Sequence, residues 1–149
     1  MLQRKQTLFL LAALILTIIC LCLPIGKSHA EDECGMLMYN LYVIHANERV
    51  MSLWPLFLVM LLSAVLNLTT IISFKNRKKQ INLCAVCIFL QIAWYVIYSV
   101  YYHSVEAQFP TINCSPVAAL PLVNIILYIL ARKGVIHDEK LVRAVDRIR

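Results

Sequence analysis

The sequence predicts an all-α membrane protein: four transmembrane helices with both termini cytoplasmic (N-in/C-in), followed by a short amphipathic cytoplasmic C-terminal helix. Three observations carry this expectation. Four apolar runs, at residues 7–23, 51–74, 81–103 and 117–131, approach or exceed the length needed to cross a hydrocarbon core of about 30 Å. The composition is 61% hydrophobic with mean hydropathy +0.75, where soluble domains are about half apolar. The basic residues are sorted as well: of 14 Lys and Arg, only Lys27 and Arg49 fall on the side opposite the loop at residues 75–80.

The first run follows Arg4 and Lys5 and is ended by Pro24. A cleaved signal peptide is the competing expectation, because Ser28-His29-Ala30 before Glu31 has the small-x-small form of a cleavage site. The run exceeds the usual apolar centre of about 7 to 15 residues, and more spans follow, so retention is favoured. Residues 24–50 form an outer loop with an acidic start, Glu31-Asp32-Glu33. Within it, residues 36–45 favour a short strand or interfacial turn, being rich in Tyr, Val and Ile and too short to span. Trp54 and Pro55 mark the outer end of the second span, where a proline in the first turn costs little.

The cytoplasmic loop, residues 75–80, carries Lys75, Arg77, Lys78 and Lys79, too costly to move across a bilayer. The third span ends in Tyr98, Tyr101, Tyr102 and His103, an aromatic belt, and residues 104–116 form a second outer loop. The fourth run is short, and Pro121 is tolerated only near its first turn. The tail, residues 132–149, is expected to restart as a helix after Gly134 with Asp138 as N-cap. Leu141, Val145 and Ile148 recur there at helical spacing among Lys140, Arg143, Arg147 and Arg149.

Three separated motifs are shared with a known group: MLQRKQT at residues 1–7, FKNRKKQI at 74–81 and DEKLVRAVDRIR at 138–149. Together they resemble an uncharacterised family of Bacteroidota four-helix inner-membrane proteins, classed as a domain of unknown function. The resemblance implies architecture and compartment, a bacterial inner membrane crossed several times with the first helix retained, and no activity. The acidic stretch at 31–33, Cys34 and Cys114 have no counterpart in it.

No Asp, Glu, Lys, Arg or His lies in the middle of a span, which argues against a proton pump. Asn67, Gln91 and Asn124 are placed to form one polar layer, read as interhelical glue before a substrate site. Gln91, Trp94, Tyr98 and Tyr101 or Tyr102 share a face of the third helix, as packing and belt or as the wall of a pocket for a quinone, lipid or cationic compound. Cys84 and Cys87 form a C-x-x-C at the cytoplasmic end of that helix and read as buried small residues. Cys34 and Cys114 sit in outer loops, where a disulfide between the two hairpins can form. His29, His45 and His103 have no spacing that imposes a metal site, and no cofactor is expected.

The net charge of +6 sits in short blocks and forms no groove, so nucleic acid is not an expected partner. The expected partners are the bilayer and a membrane or cytoplasmic protein, or a second copy. The reading that results is a non-enzymatic interaction or assembly subunit whose docking surface is Lys75, Arg77, Lys78, Lys79, Lys140, Arg143, Arg147 and Arg149. The alternatives are a small carrier or lipid-binding protein, and an outer-face thiol oxidoreductase using Cys34 and Cys114.

Overall fold

Residues 3–28, 35–45, 48–73, 76–108 and 112–146 are described by a computed structural model. Among these residues four helices run up and down: α1 (Gln3–Cys22), α2 (Trp54–Ile72), α3 (Arg77–Gln108) and α4 (Leu120–Asp146). Helix α1 packs against α2 and α4, and α3 packs against the same two, so the helices close a ring in sequence order. Each helix turns one narrow stripe inward. On α1 the stripe is Gln6, Leu10, Ala13, Thr17 and Cys20, and on α2 it is Leu56, Met60, Ser63, Asn67 and Thr70. On α3 it is Gln80, Cys84, Cys87, Gln91, Trp94 and Tyr98, and on α4 Asn124, Tyr128, Ala131, Val135 and Asp138. Steps of three and four are the spacing of one helix face.

The polarity of these stripes is reversed relative to a soluble bundle. Polar Thr17, Ser63, Asn67, Gln91 and Asn124 point inward, whereas Leu8, Leu11, Ile15, Leu58, Leu68, Phe89, Val96 and Ile126 point outward. A continuous apolar exterior is stable only against hydrocarbon. The segments Trp54–Ile72, Arg77–Gln108 and Pro116–Leu141 are each long and apolar enough to cross a membrane, and α1 contributes a shorter apolar stretch, Gln6–Cys22.

The fold is mostly helical without being all-α. Five short strands, β1 (Gly26–Ser28), β2 (Met36–Met38), β3 (Tyr42–His45), β4 (Glu48–Ser52) and β5 (Ile112–Cys114), form one antiparallel sheet in the order β4-β3-β2-β1-β5. The strand expected within residues 36–45 is thus a hairpin inside a larger sheet that also recruits the second loop. Strands of three to five residues bury too little alone. This sheet is stable because Ile25, Met36, Met38, Val43 and Ile112 share one core with Cys20, Leu53, Leu56, Trp94 and Tyr98 of the helical layer. Gly26 makes the central position workable, since a Cβ there would stand 3.3 Å from Met38 Cβ and 3.4 Å from Ile112 Cδ1.

Helix ends follow local chemistry. Asn76 caps α3, its side chain accepting from Lys79 N and its carbonyl from Gln80 N. Pro55 lies in the first turn of α2, and Pro121 in the first turn of α4, after a 3-10 turn over Pro116–Ala119. The tail corrects the sequence expectation: α4 runs 27 residues without interruption through Gly134, and Asp138 is an interior residue of that helix rather than an N-cap. Helix formation there follows tertiary contact, because the inward side chains at residues 135 and 138 continue the stripe that packs on α1.

Candidate functional site

Three regions carry chemistry-bearing side chains. In the middle of the bundle, polar groups link the helices in pairs. Gln91 Nε2 donates to Ser63 Oγ at 3.0 Å, and Asn124 Nδ2 donates to Thr17 Oγ1 at 3.0 Å. The Tyr128 hydroxyl lies buried beside Ser63 and Thr17 without a hydrogen bond to either. Asn67 takes a different partner, donating to the Leu10 carbonyl at 3.0 Å. The expected layer is therefore two separate pairs plus one side chain bonded to backbone. Gln91 Oε1, Asn124 Oδ1 and Asn67 Oδ1 are buried without a partner among the described residues. Such contacts average about 0.6 kcal/mol in membrane bundles, which suits registration of helices.

At the basic end, Gln6 Nε2 donates to Asp138 Oδ2 at 2.6 Å, and Arg77 Nη1 donates to the Asp138 carbonyl at 3.1 Å. Three elements, α1, α3 and α4, meet at Asp138. Gly134 leaves room for this clamp, because a Cβ there would lie 2.9 Å from Gln6 Cγ. Around it Lys78, Lys79, Arg132, Lys133 and Lys140 are exposed, and Arg77 is half-buried. Arg143 lies on the last turns of α4. Lys75, Arg147 and Arg149 of the expected docking surface lie outside the described residues.

At the sheet end, Asn40 is fully buried and holds two elements. Its Nδ2 donates to the Cys20 carbonyl at 2.6 Å, satisfying one of the last carbonyls of α1, and its Oδ1 accepts from Trp94 Nε1 at 3.0 Å. Trp94 stacks on Tyr98 at 5.0 Å with the rings 5° from parallel, and Tyr98 leans on Tyr102 at 5.7 Å. The hydroxyls finish the ladder. Tyr102 Oη donates to the Ile112 carbonyl at 3.2 Å, Tyr98 Oη pairs with Cys114 Sγ at 3.3 Å, and Tyr95 Oη donates to the Ala118 carbonyl at 2.8 Å. The aromatic stripe seen in the sequence thus fastens β5 to α3, while Tyr95, outside that stripe, fastens the start of α4. Beside it lies a groove of about 410 Å³ walled by Tyr95, Tyr98, Ala118, Ala119 and Leu122, with Cys114 and Ser115 also lining it.

The remaining expectations are placed as follows. Cys84 and Cys87 are buried free thiols inside the bundle. Cys114 is an exposed free thiol, and Cys34 lies outside the described residues, as does the cleavage motif at residues 29–30. Among the described residues no group of three His, Cys, Asp or Glu gathers to hold a metal. Thr17, Tyr128 and Asn40 were not singled out from the sequence, and Gln6 and Asp138 were not expected to pair. Thr17, Tyr128, Gln6 and Asp138 occupy inward positions of regular stripes and were findable by helical spacing. Asn40 follows no periodicity.

Compared with known proteins, the chain matches a family model over residues 2–148, a domain of unknown function (DUF4293). No curated protein matches it.

Proposed function

The chain belongs to the DUF4293 family, a domain of unknown function, and on that premise we propose that it is a non-enzymatic, multi-pass protein of a bacterial inner membrane. It acts by docking a protein with an acidic surface at its basic end. All four helices cross the bilayer in this reading. The apolar stretch Gln6–Cys22 of α1 gives about 26 Å of helix, a few ångströms short of a core of about 30 Å, which local thinning of the bilayer accommodates. The exposed Lys78, Lys79, Arg132, Lys133 and Lys140 mark the cytoplasmic face, and the sheet with Lys27 and Arg49 lies outside.

The observation that carries the docking role is the reach of α4. It pairs with α1 at Asp138 and Gln6, close to the start of α1 at Gln3, yet continues to Asp146. The last eight residues of α4 therefore extend about 12 Å past the clamp. Lys140 and Leu141, at the base of this projection, are exposed. A lone helical end of that length is marginal in water and gains its stability from a contact.

The test is purification in mild detergent of the full chain and of a chain ending at Lys140, which keeps the Asp138 clamp. A companion protein should come with the full chain, be lost with the shortened one, and be released by Lys78→Glu with Lys79→Glu. A full chain that purifies alone, or a companion held equally by every variant, removes the proposal.

A further inference from the structure

We propose that the groove between α3 and α4 at the sheet end is a binding site for one acyl chain of a membrane phospholipid. It rests on the reading of the chain as membrane-spanning and is independent of the docking role at the other end.

The groove lies on two segments apolar enough to span, α3 and Pro116–Leu141. Its walls are the small side chains of Ala118 and Ala119, the Leu122 side chain and the rings of Tyr95 and Tyr98, with Cys114 and Ser115 at the β5 edge. Two tyrosines would ordinarily offer hydroxyls to a polar ligand. Here both are already engaged. Tyr95 Oη donates to the Ala118 carbonyl and accepts from Leu122 N at 3.1 Å, and Tyr98 Oη is paired with the Cys114 thiol. Apart from Ser115 and the Cys114 thiol at the β5 edge, what remains open to an occupant is ring face and aliphatic carbon. A ligand that needs many hydrogen bonds would lose those it has in water and regain few of them here. A hydrocarbon chain gains contact with the walls, and the bilayer supplies it at the mouth of the groove, where Leu122 is 55% exposed.

Height selects the part of the lipid. Helix α3 has 32 residues, about 48 Å, so it overshoots a core of about 30 Å. With Arg77–Lys79 at one surface, Tyr95 and Tyr98 fall in the leaflet on the sheet side, in its upper half. The site therefore takes the headgroup-proximal part of the chain.

Trp94 reports on it. It is fully buried, out of reach of bulk lipid, but stacks on Tyr98, whose ring forms the groove wall. The chain has two tryptophans, so Trp54→Phe leaves Trp94 alone. That variant is reconstituted into vesicles of phosphatidylcholine brominated near the headgroup and compared with the unbrominated lipid. Trp94 emission should be quenched, and filling the groove by Ala119→Phe, or by Leu122→Phe should the first variant fold poorly, should abolish most of that quenching while the helical circular dichroism is unchanged. Absence of quenching in the Trp54→Phe protein, or quenching of equal depth in the filled variants, overturns the assignment. Loss of docking with quenching intact would remove only the function proposed above.

Discussion

Asn40 joins a helix end 20 residues before it to an indole 54 residues after it, and both of its hydrogen bonds are buried. Asn40→Leu fills the space but strands the Trp94 N–H and the Cys20 carbonyl. At about 1–3 kcal/mol for each of the two buried orphans, the change should cost about 2–6 kcal/mol. Thermal unfolding in detergent should show a clear fall in Tm, while Lys27→Ala on the exposed side of β1 leaves it in place. An unchanged Tm for Asn40→Leu would show that water replaces the pair. Gly134 offers a sharper test, because two effects there have opposite signs. In a helix interior Gly→Ala gains about 1 kcal/mol. Here the added methyl must push Gln6 off Asp138. Gly134→Ala should therefore stabilise by about 1 kcal/mol in a Gln6→Ala background and give no gain in the natural chain, a coupling that a double-mutant cycle reads directly. Equal effects in both backgrounds would mean that the clamp yields freely.

Among the elements, α4 departs most from its sequence pattern. Gly134, flanked by Arg132 and Lys133 on one side and Asp138 on the other, reads locally as a stop followed by a new cap. The helix passes through because its inward stripe continues on both sides of the glycine and packs on α1. Docking energy from tertiary packing exceeds the local preference of about 1 kcal/mol. This continuity changes the truncation experiment: ending the chain at Gly134 would delete Asp138 and unfasten α1, so only removal beyond Lys140 isolates the projecting turns. The sheet was legible only in fragments for a related reason. Three-residue strands have no period to detect, and β5 joins β1 across more than eighty residues of sequence. By contrast, the second and third spans and the aromatic stripe of α3 were legible because each is a long, regular pattern. The polar side chains at positions 91 and 124 were legible as interior residues, but their partners Ser63 and Thr17 depend on how neighbouring helices are registered.

For the whole molecule, orientation is the quantity to measure. The proposed topology puts the sheet outside and the Lys78 end in the cytoplasm. In a chain with Cys22 and Cys34 replaced by Ser, an impermeant maleimide applied to intact cells should label the exposed Cys114. With Cys114 also replaced, a thiol introduced by Lys78→Cys should stay unlabelled until the membrane is opened. The reverse pattern would invert the topology and move the docking surface outside. Two features blunt the sheet as a site of uncontrolled pairing. Strand β4 carries Glu48 and Arg49 on the open edge, and its register with β3 slips between Val43 and Ile44, which twists the edge.

The sequence by itself determined that the chain is a membrane protein with helices separated by a basic loop, since hydropathy and charge act residue by residue and need no knowledge of neighbours. The tertiary structure decided which short strands pair, that α4 does not stop at Gly134, and that Tyr95 and Tyr98 direct their hydroxyls to the protein and leave a largely apolar groove. Each of those depends on contacts between residues far apart in the chain, and a buried hydrogen bond or a shared core has no energy until its partner arrives.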